Sequence, residues 1–387
     1  MSAKTKKEKT KNAASEASEF DAMLAKIEKQ HGEVITNARK LPVANHIPTG
    51  SFMVDYALLG GIPDGYNTML YGYESSGKTM LAKKTVAGFH RKYRDKQAVW
   101  IDAEGLFDSD WAGMLGCDLD RMQIVRPTTG NEAVDLIEAL MEPEEVGMIV
   151  LDSIPGCVPQ RVVEKSAEDK TMGELAALMG VMCSKILCSW ARERRRKHWV
   201  TVLTINQFRM KIGAMYGDPR TLPGGRQINH LPTTKIELKN NEIAGKDAFD
   251  SHMMIRNEHS FRIVKAKHGR SVREGEFHMS LSSEENDGVR PFDFINHRTV
   301  IAYAKKLGVF HGGGGNYSLD TVERKRFRTM DDAGLFLVEN PNEMWALQRH
   351  LIQMQRADKG LSALPRDGYL VGHPPTDTQS ARRVVRR

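Results

Sequence analysis

Apolar and polar positions along this chain follow two rhythms, which take turns between Ile47 and about residue 287. Runs with the length of buried strands are Met69-Leu70-Tyr71, Ala98-Val99-Trp100-Ile101, Gly147-Met148-Ile149-Val150-Leu151 and Trp199 to Ile205. Helical spacing fills Met80 to Tyr93, Asn131 to Met141 and Gly173 to about Arg196. Strands alternating with helices predict an α/β fold with a mostly parallel central sheet flanked by helices. Three later segments, Lys235 to Leu238, Phe261 to Val264 and Glu276 to Met279, are spaced like antiparallel additions at one edge.

Outside this core, residues 47–289, the pattern changes. Residues 1–18 are Lys, Glu, Ala and Ser with little to bury, which predicts a disordered tail. In residues 19–46, Phe20, Met23, Leu24 and Ile27 share one helical face, which docks either on the chain's own core or on a neighbouring copy. Residues 290–355 read as a small C-terminal α/β domain with a helix at Val300 to Lys306. Gly312-Gly313-Gly314-Gly315 within it reads as a mobile loop, since no helix opening on Lys-Ser or Lys-Thr follows. Residues 356–387 are expected to form a flexible tail ending in Arg382-Arg383-Val384-Val385-Arg386-Arg387.

Composition narrows the classes. The chain has 387 residues, 40% of them hydrophobic, enough for one large core with appendages or for two to three domains. Lys and Arg number 56 against 49 Asp and Glu, a net charge of +7 that favours a polyanionic partner, with plain solubility as the alternative reading. Cys117, Cys157, Cys183 and Cys188 contain no CxxC pair, which speaks for reduced thiols over zinc or disulfides. No apolar run of the ~20 residues that cross a bilayer is evident, and the charged N-terminus lacks an export segment. A cytoplasmic protein without a membrane partner is expected.

The chemistry centres on Gly72-Tyr73-Glu74-Ser75-Ser76-Gly77-Lys78-Thr79, which fills G-x-x-x-x-G-K-S/T at a strand-to-helix turn. Backbone amides of such a loop converge on phosphate oxygens, and the following helix presents its positive end to the same anion. Lys78 would reach the β- and γ-phosphates of ATP, and Thr79 would hold Mg²⁺. Met148 to Leu151 deliver Asp152 to a strand end, where a carboxylate can support the metal through water. Glu104 follows another strand and would lie beside the phosphates if that strand neighbours the first; it then activates water or merely caps the next helix. Gln207, at the end of Thr204-Ile205-Asn206, either touches a γ-phosphate or is a plain loop glutamine.

Glu74 to Thr79, Ile101-Asp102-Ala103-Glu104, Leu151-Asp152-Ser153, Ile205-Asn206-Gln207 and Arg209-Met210-Lys211-Ile212-Gly213 occur in the order and spacing of the RecA family of recombinases. Ile27-Glu28-Lys29-Gln30 and Pro48-Thr49-Gly50-Ser51 are similar to that family as well. The resemblance covers about residues 20 to 290, and more loosely the region to about 350. It implies that Glu104 activates water, that Gln207 senses the γ-phosphate, and that Asp108 and Trp111 contact adenine. It further implies that Lys265 and Lys267 reach the next subunit's nucleotide, where a solvated strand edge would be the reading from sequence alone.

The family binds DNA through two loops inside a helical homo-oligomeric filament. By resemblance these are Gly156 to Thr171, with Met172 at its end, and Phe208 to Gly225. Contacts to single-stranded DNA would come from Met172, Arg209, Met210, Ile212, Gly224, Gly225 and Arg226, with homologous duplex DNA as the second partner. The chain departs from the family at Ala177 and Ser184, where arginines are usual, at Arg226, where the best-known member has asparagine, and at His230, which replaces an aromatic. That member's tail is acidic; Arg382, Arg383, Arg386 and Arg387 would instead recruit duplex DNA. Arg192-Glu193-Arg194-Arg195-Arg196-Lys197 reads as a solvated helix end or a DNA contact. The resemblance thus implies an ATP-dependent recombinase that coats single-stranded DNA, pairs it with homologous duplex and hydrolyses ATP in a DNA-dependent manner. A hexameric helicase or motor on the same core, and an ATP-binding DNA-coating protein without turnover, are the rivals.

Overall fold

A computed structural model of the chain describes residues 19–32, 34–36, 39, 45–164, 173–210, 219–244, 254–281, 289–323 and 325–364. The tail 1–18, the arginine-rich tail, Met172 and Ile212 lie outside the described residues.

In chain order the elements are α1 (19–31), β1 (His46–Ile47), α2 (Phe52–Ala57), β2 (Ile62–Pro63), β3 (Asn67–Gly72), α3 (Lys78–Lys92), β4 (Gln97–Asp102) and α4 (Ser109–Met114). There follow β5 (Met122–Val125), α5 (Gly130–Leu140), β6 (Val146–Asp152), α6 (Gln160–Val163), α7 (Glu174–Arg195), β7 (Thr201–Gln207), β8 (Arg209–Met210), β9 (Arg220–Thr221) and α8 (Gln227–His230). The chain continues with β10 (Thr234–Ala244), β11 (Met254–Ala266), β12 (Glu274–Ser280), α9 (Asn296–Lys306), β13 (Phe310–Gly313), β14 (Asn316–Leu319), α10 (Met330–Glu339) and α11 (Pro341–Asp358).

Helix starts follow side-chain caps that satisfy otherwise orphaned amides. Thr129 accepts from Glu132 N at 3.2 Å to open α5, and Thr329 with Asp332 forms a reciprocal box opening α10.

The main sheet has eight strands in the order β12-β11-β10-β3-β7-β6-β4-β5. From β10 to β5 every neighbouring pair is parallel, and β11 and β12 close one edge antiparallel. This corrects the expectation for Lys235 to Leu238: β10 joins β3 in parallel, so only β11 and β12 are antiparallel additions. Alternate residues of each central strand serve opposite faces. Leu70, Trp100, Val150 and Leu203 face the layer of α2 and α3, while Met69, Val99, Ile149 and Val202 face α5 and α7. α7 is long and apolar enough, by length and composition alone, to cross a membrane, which corrects the expectation that no such run exists. Its buried face, Met179, Met182, Cys183, Ile186 and Trp190, lies in the apolar cluster beneath the sheet.

Val300, Ile301, Leu347, Leu351 and Ile352 of α9 and α11 join the same apolar cluster as α2 and α3. Polar contacts reinforce this junction. Lys84 on α3 is paired with Asp293 at 2.6 Å, Arg91 lies over the Trp345 ring at 5.7 Å, and Arg356 donates to the Leu59 carbonyl at 2.8 Å. Gly312 to Gly315 depart from the expected mobile loop, because they build the β13–β14 hairpin with Gly312 opposite Tyr317 and Gly313 opposite Asn316.

The charged run after Ser189 is largely occupied by structural contacts. Arg192 and Arg196 both bind the buried Glu193, at 3.0 and 3.2 Å. Arg194 lies against the rings of Tyr66, Trp190 and Trp199 and donates to the Gly65 carbonyl at 2.9 Å.

Candidate nucleotide site and nucleic-acid interface

β3 ends at Gly72, and the loop 73–77 turns directly into α3. Gly77, with φ of +88°, sits at the N-terminus of α3, and a Cβ there would lie 2.7 Å from the His259 ring. Only glycine accepts both constraints. The Lys78 ammonium points back into the loop, donating to the Tyr73 carbonyl at 2.5 Å and to Ser76 Oγ at 3.3 Å. Burial holds Lys78 below its ordinary pKa, against the opposing pull of Asp152, Glu104 and Glu74. A glycine-bounded loop at a helix N-terminus with one desolvated ammonium is complementary to a polyphosphate.

Thr79 Oγ1 donates to Asp152 Oδ2 at 3.1 Å, so the hydroxyl and the carboxylate from β6 already face each other. Such hard oxygen donors would suit Mg²⁺. Among the described residues no cluster of three His, Cys, Asp or Glu competes as a metal site. Burial first, and then the neighbouring Glu104 carboxylate, push the Asp152 carboxyl from 3.8 up to about 6. The folded protein thus binds this proton more tightly than the unfolded chain does. The stability linked to that proton is fully present below about pH 4 and is lost as pH rises through about 6. Asp152→Asn is therefore expected to raise the thermal midpoint of the nucleotide-free protein at pH 7 by a few degrees and to flatten its decline between pH 4 and 6. Differential scanning calorimetry across that range checks this, and an unchanged pH profile would remove Asp152 as the cause.

Glu104 arrives by a different route from the one its sequence position suggests. β4 is separated from β3 by β7 and β6, so the strand carrying Glu104 does not neighbour the first strand. It neighbours β6, with Asp102 opposite Asp152 and Ala103 N bonded to Asp152 O at 2.9 Å, which carries Glu104 to the metal side of the site. Ser153 Oγ donates to Glu104 Oε1 and orients the carboxylate. Sequence reasoning passed over Ser153, although a hydroxyl directly after a strand-end aspartate was the available signal. It also passed over His259, which is buried against Gly77, stacks on Phe277, and is pushed by burial down to about 4. On the other side, Gln207 lies opposite Gly72 in the β3–β7 register.

Asp108 is exposed and Trp111 half-buried at the start of α4. Asp108 Oδ1 accepts from Trp111 N at 2.9 Å and caps α4, and the Trp111 ring meets Phe292 edge to face at 4.6 Å.

Lys265 and Lys267 are not brought to this site. Lys265 pairs with Lys235, which lies opposite Met69, three positions before Gly72. At ordinary strand spacings that is about 10 Å down the sheet and about 10 Å across it. Lys265 donates to the carbonyls of Asn229 and His230, at 3.2 and 2.9 Å.

The second loop begins in direct contact with the phosphate loop. Phe208 N donates to Gly72 O at 3.1 Å, and the Phe208 ring packs on Tyr73 at 5.2 Å. Arg209 and Met210 are exposed and pair with Thr221 and Arg220. At the loop's exit Gly224 and Gly225 have φ of +97° and +75°, and a Cβ on Gly225 would lie 2.7 Å from Ala176 Cβ at the start of α7. Asn206 ties β7 to this exit through the Pro223 carbonyl at 3.0 Å. Beside it opens a cavity of about 640 Å³, lined by Phe208, Arg220, Gly225, Arg226, Arg262 and Arg273. Arg226 is exposed at its rim, while Ala177 and Ser184 give α7 an uncharged outer face.

A family model for the RecA N-terminal domain matches residues 18–290. The chain is 30% identical over 337 residues to Protein RecA of Ruminococcus albus, covering 86% of this chain and 79% of that protein. It is 30% identical over 344 residues to Protein RecA of Aquifex pyrophilus, covering 88% and 92%. It is 33% identical over 327 residues to Protein RecA of Streptomyces coelicolor, covering 84% and 82%. A phosphate loop, a strand-end aspartate and a family match spanning the whole core lead to one conclusion: this chain belongs to the RecA family of DNA recombinases.

Proposed function

We propose that this cytoplasmic protein is a DNA-dependent ATPase that uses ATP and Mg²⁺ to assemble as a helical filament on single-stranded DNA. In that form it pairs the strand with homologous duplex DNA and exchanges strands. What supports this reading is the grouping of Lys78, Thr79, Asp152 and Glu104 at the phosphate loop, with Gln207 opposite Gly72 and with Lys265 and Lys267 two strands away. In this reading a second copy of the chain supplies those two cations.

In this reading the loop amides and Lys78 bind the triphosphate, the ammonium exchanging the Tyr73 carbonyl for β- and γ-oxygens. Thr79 and Asp152 would hold Mg²⁺, which would supply positive charge against the developing phosphate charge. Glu104, oriented by Ser153, takes the proton of the attacking water. Gln207 reports the γ-phosphate to the second loop through the Asn206–Pro223 contact. Arg209, Met210, Ile212, Gly224, Gly225 and Arg226, with Met172 from the first loop, contact single-stranded DNA. The apolar face of α1, with Phe20 and Met23 more than half exposed, supplies a surface for the neighbouring subunit.

Electron microscopy of the protein with single-stranded DNA, with and without a non-hydrolysable ATP analogue, tests this. Helical filaments that form only with the analogue are expected. Closed rings would replace the proposal with a hexameric motor, and particles that ignore both DNA and nucleotide would overturn it.

A further inference from the structure

α3 carries a lysine that nothing above requires. Lys83 is 2% exposed on the buried face of this helix, among side chains that are otherwise largely apolar. Removing an ammonium from water is expensive, and a buried charge is often replaced without loss by an apolar residue of similar volume. The fold alone would therefore be as well served by methionine or leucine.

What Lys83 touches gives the reason. Its Nζ donates to the backbone carbonyl of Asp108 at 3.1 Å and lies 4.6 Å from the centre of the Phe107 ring, with Trp100 at 6.0 Å. From the other side, the Asp102 carboxylate accepts from the amides of Leu106 and Phe107, both at 3.0 Å. The segment is thus gripped at successive groups, two amides by Asp102 and one carbonyl by Lys83. The Asp108 carbonyl also accepts from Ala112 N at 3.1 Å and the Phe107 ring packs on Trp100 at 5.4 Å, so what Lys83 adds is the tie from this segment to α3.

The gripped residue is Asp108. One carboxylate oxygen caps Trp111 N and the other has no hydrogen bond among the described residues. A fixed carboxylate is a recognition element for a purine with a 6-amino group: it accepts from that amine and repels a 6-oxo group.

The geometry points to Lys83 as a positioning residue that sets the nucleobase specificity of this site, holding Asp108 where it selects 6-aminopurine over 6-oxopurine nucleotides. The inference rests on the reading of Asp108 and Trp111 as base contacts.

Steady-state hydrolysis of ATP and of inosine triphosphate, which differ at position 6 of the base, tests it with single-stranded DNA present. Lys83→Met is expected to raise KM for ATP about tenfold, the scale of one hydrogen bond to a charged group, with kcat changed less than about twofold. The values for inosine triphosphate should stay at those of the parent, so the preference for ATP falls about tenfold. The thermal midpoint should not fall, and Lys83→Leu provides the same test should the methionine variant misfold. Asp108→Asn separates the two layers of the argument. If it weakens the preference while Lys83→Met leaves it intact, or if Lys83→Met weakens both nucleotides equally, the role given to Lys83 is wrong. If neither substitution changes the preference, the base-contact reading itself is wrong.

Discussion

Replacing Lys265 and Lys267 together with alanine is expected to lower DNA-stimulated ATP turnover by about a thousandfold, the low end of what a cation supplied in trans contributes to phosphoryl transfer. Binding of ATP by dilute protein without DNA should change less than about twofold, since neither lysine approaches the phosphate loop of its own chain. Lys265 lies on β11, held against the α8 carbonyls, and Lys267 is exposed near the end of the same strand. Positive charge placed on the transition state only in the assembled form makes turnover conditional on assembly. Mixing experiments give a further check. Doubly substituted subunits combined with subunits lacking Glu104 should recover activity at mixed joints, because each joint takes its base from one copy and its cations from the other. Failure of that recovery, with filaments intact, would place the lysines outside the chemistry.

Glu104→Gln is expected to reduce turnover by about a hundredfold to ten-thousandfold, the range for loss of a general base, while ATP-dependent DNA binding persists. Ser153 can still donate to the amide oxygen, so the side chain should hold its place. The substitution also removes one of the charges that raise the Asp152 carboxyl, so that group should titrate closer to its ordinary value. Filaments of this variant should form with ATP itself, without a non-hydrolysable analogue. Slow but unaltered hydrolysis would remove Glu104 from catalysis and favour a protein that coats DNA without turnover.

The nucleotide loop was legible because its requirements are local. Gly72, Gly77, Lys78 and Thr79 fall within eight consecutive residues, and the apolar run ending in Asp152 announces a strand end by itself. Strand order was not legible, since pairing between segments distant in sequence depends on the assembled core. Hence the route that delivers Glu104 beside Asp152, across β6 rather than β3, came only from the sheet. The glycine run at 312–315 misled for a related reason: its composition suits a loose linker, and Asn316 to Leu319 pair back on it to make a hairpin. Lys83 and Lys84 are adjacent inside the helical run from Met80 to Tyr93, and nothing in that run distinguishes their partners, the Asp108 carbonyl and the Asp293 carboxylate.

α3 has a mechanical position as well as a chemical one. Its first residue grips phosphate in the proposed mechanism, while Lys84 and Arg91 further along are bolted to Asp293 and Trp345. A helix clamped at both ends acts as a rigid connecting rod. In the proposed filament, a tilt imposed where the triphosphate would sit would be conveyed along about 20 Å of helix to the outer lobe, and repeated from subunit to subunit it would change the pitch of the whole coil.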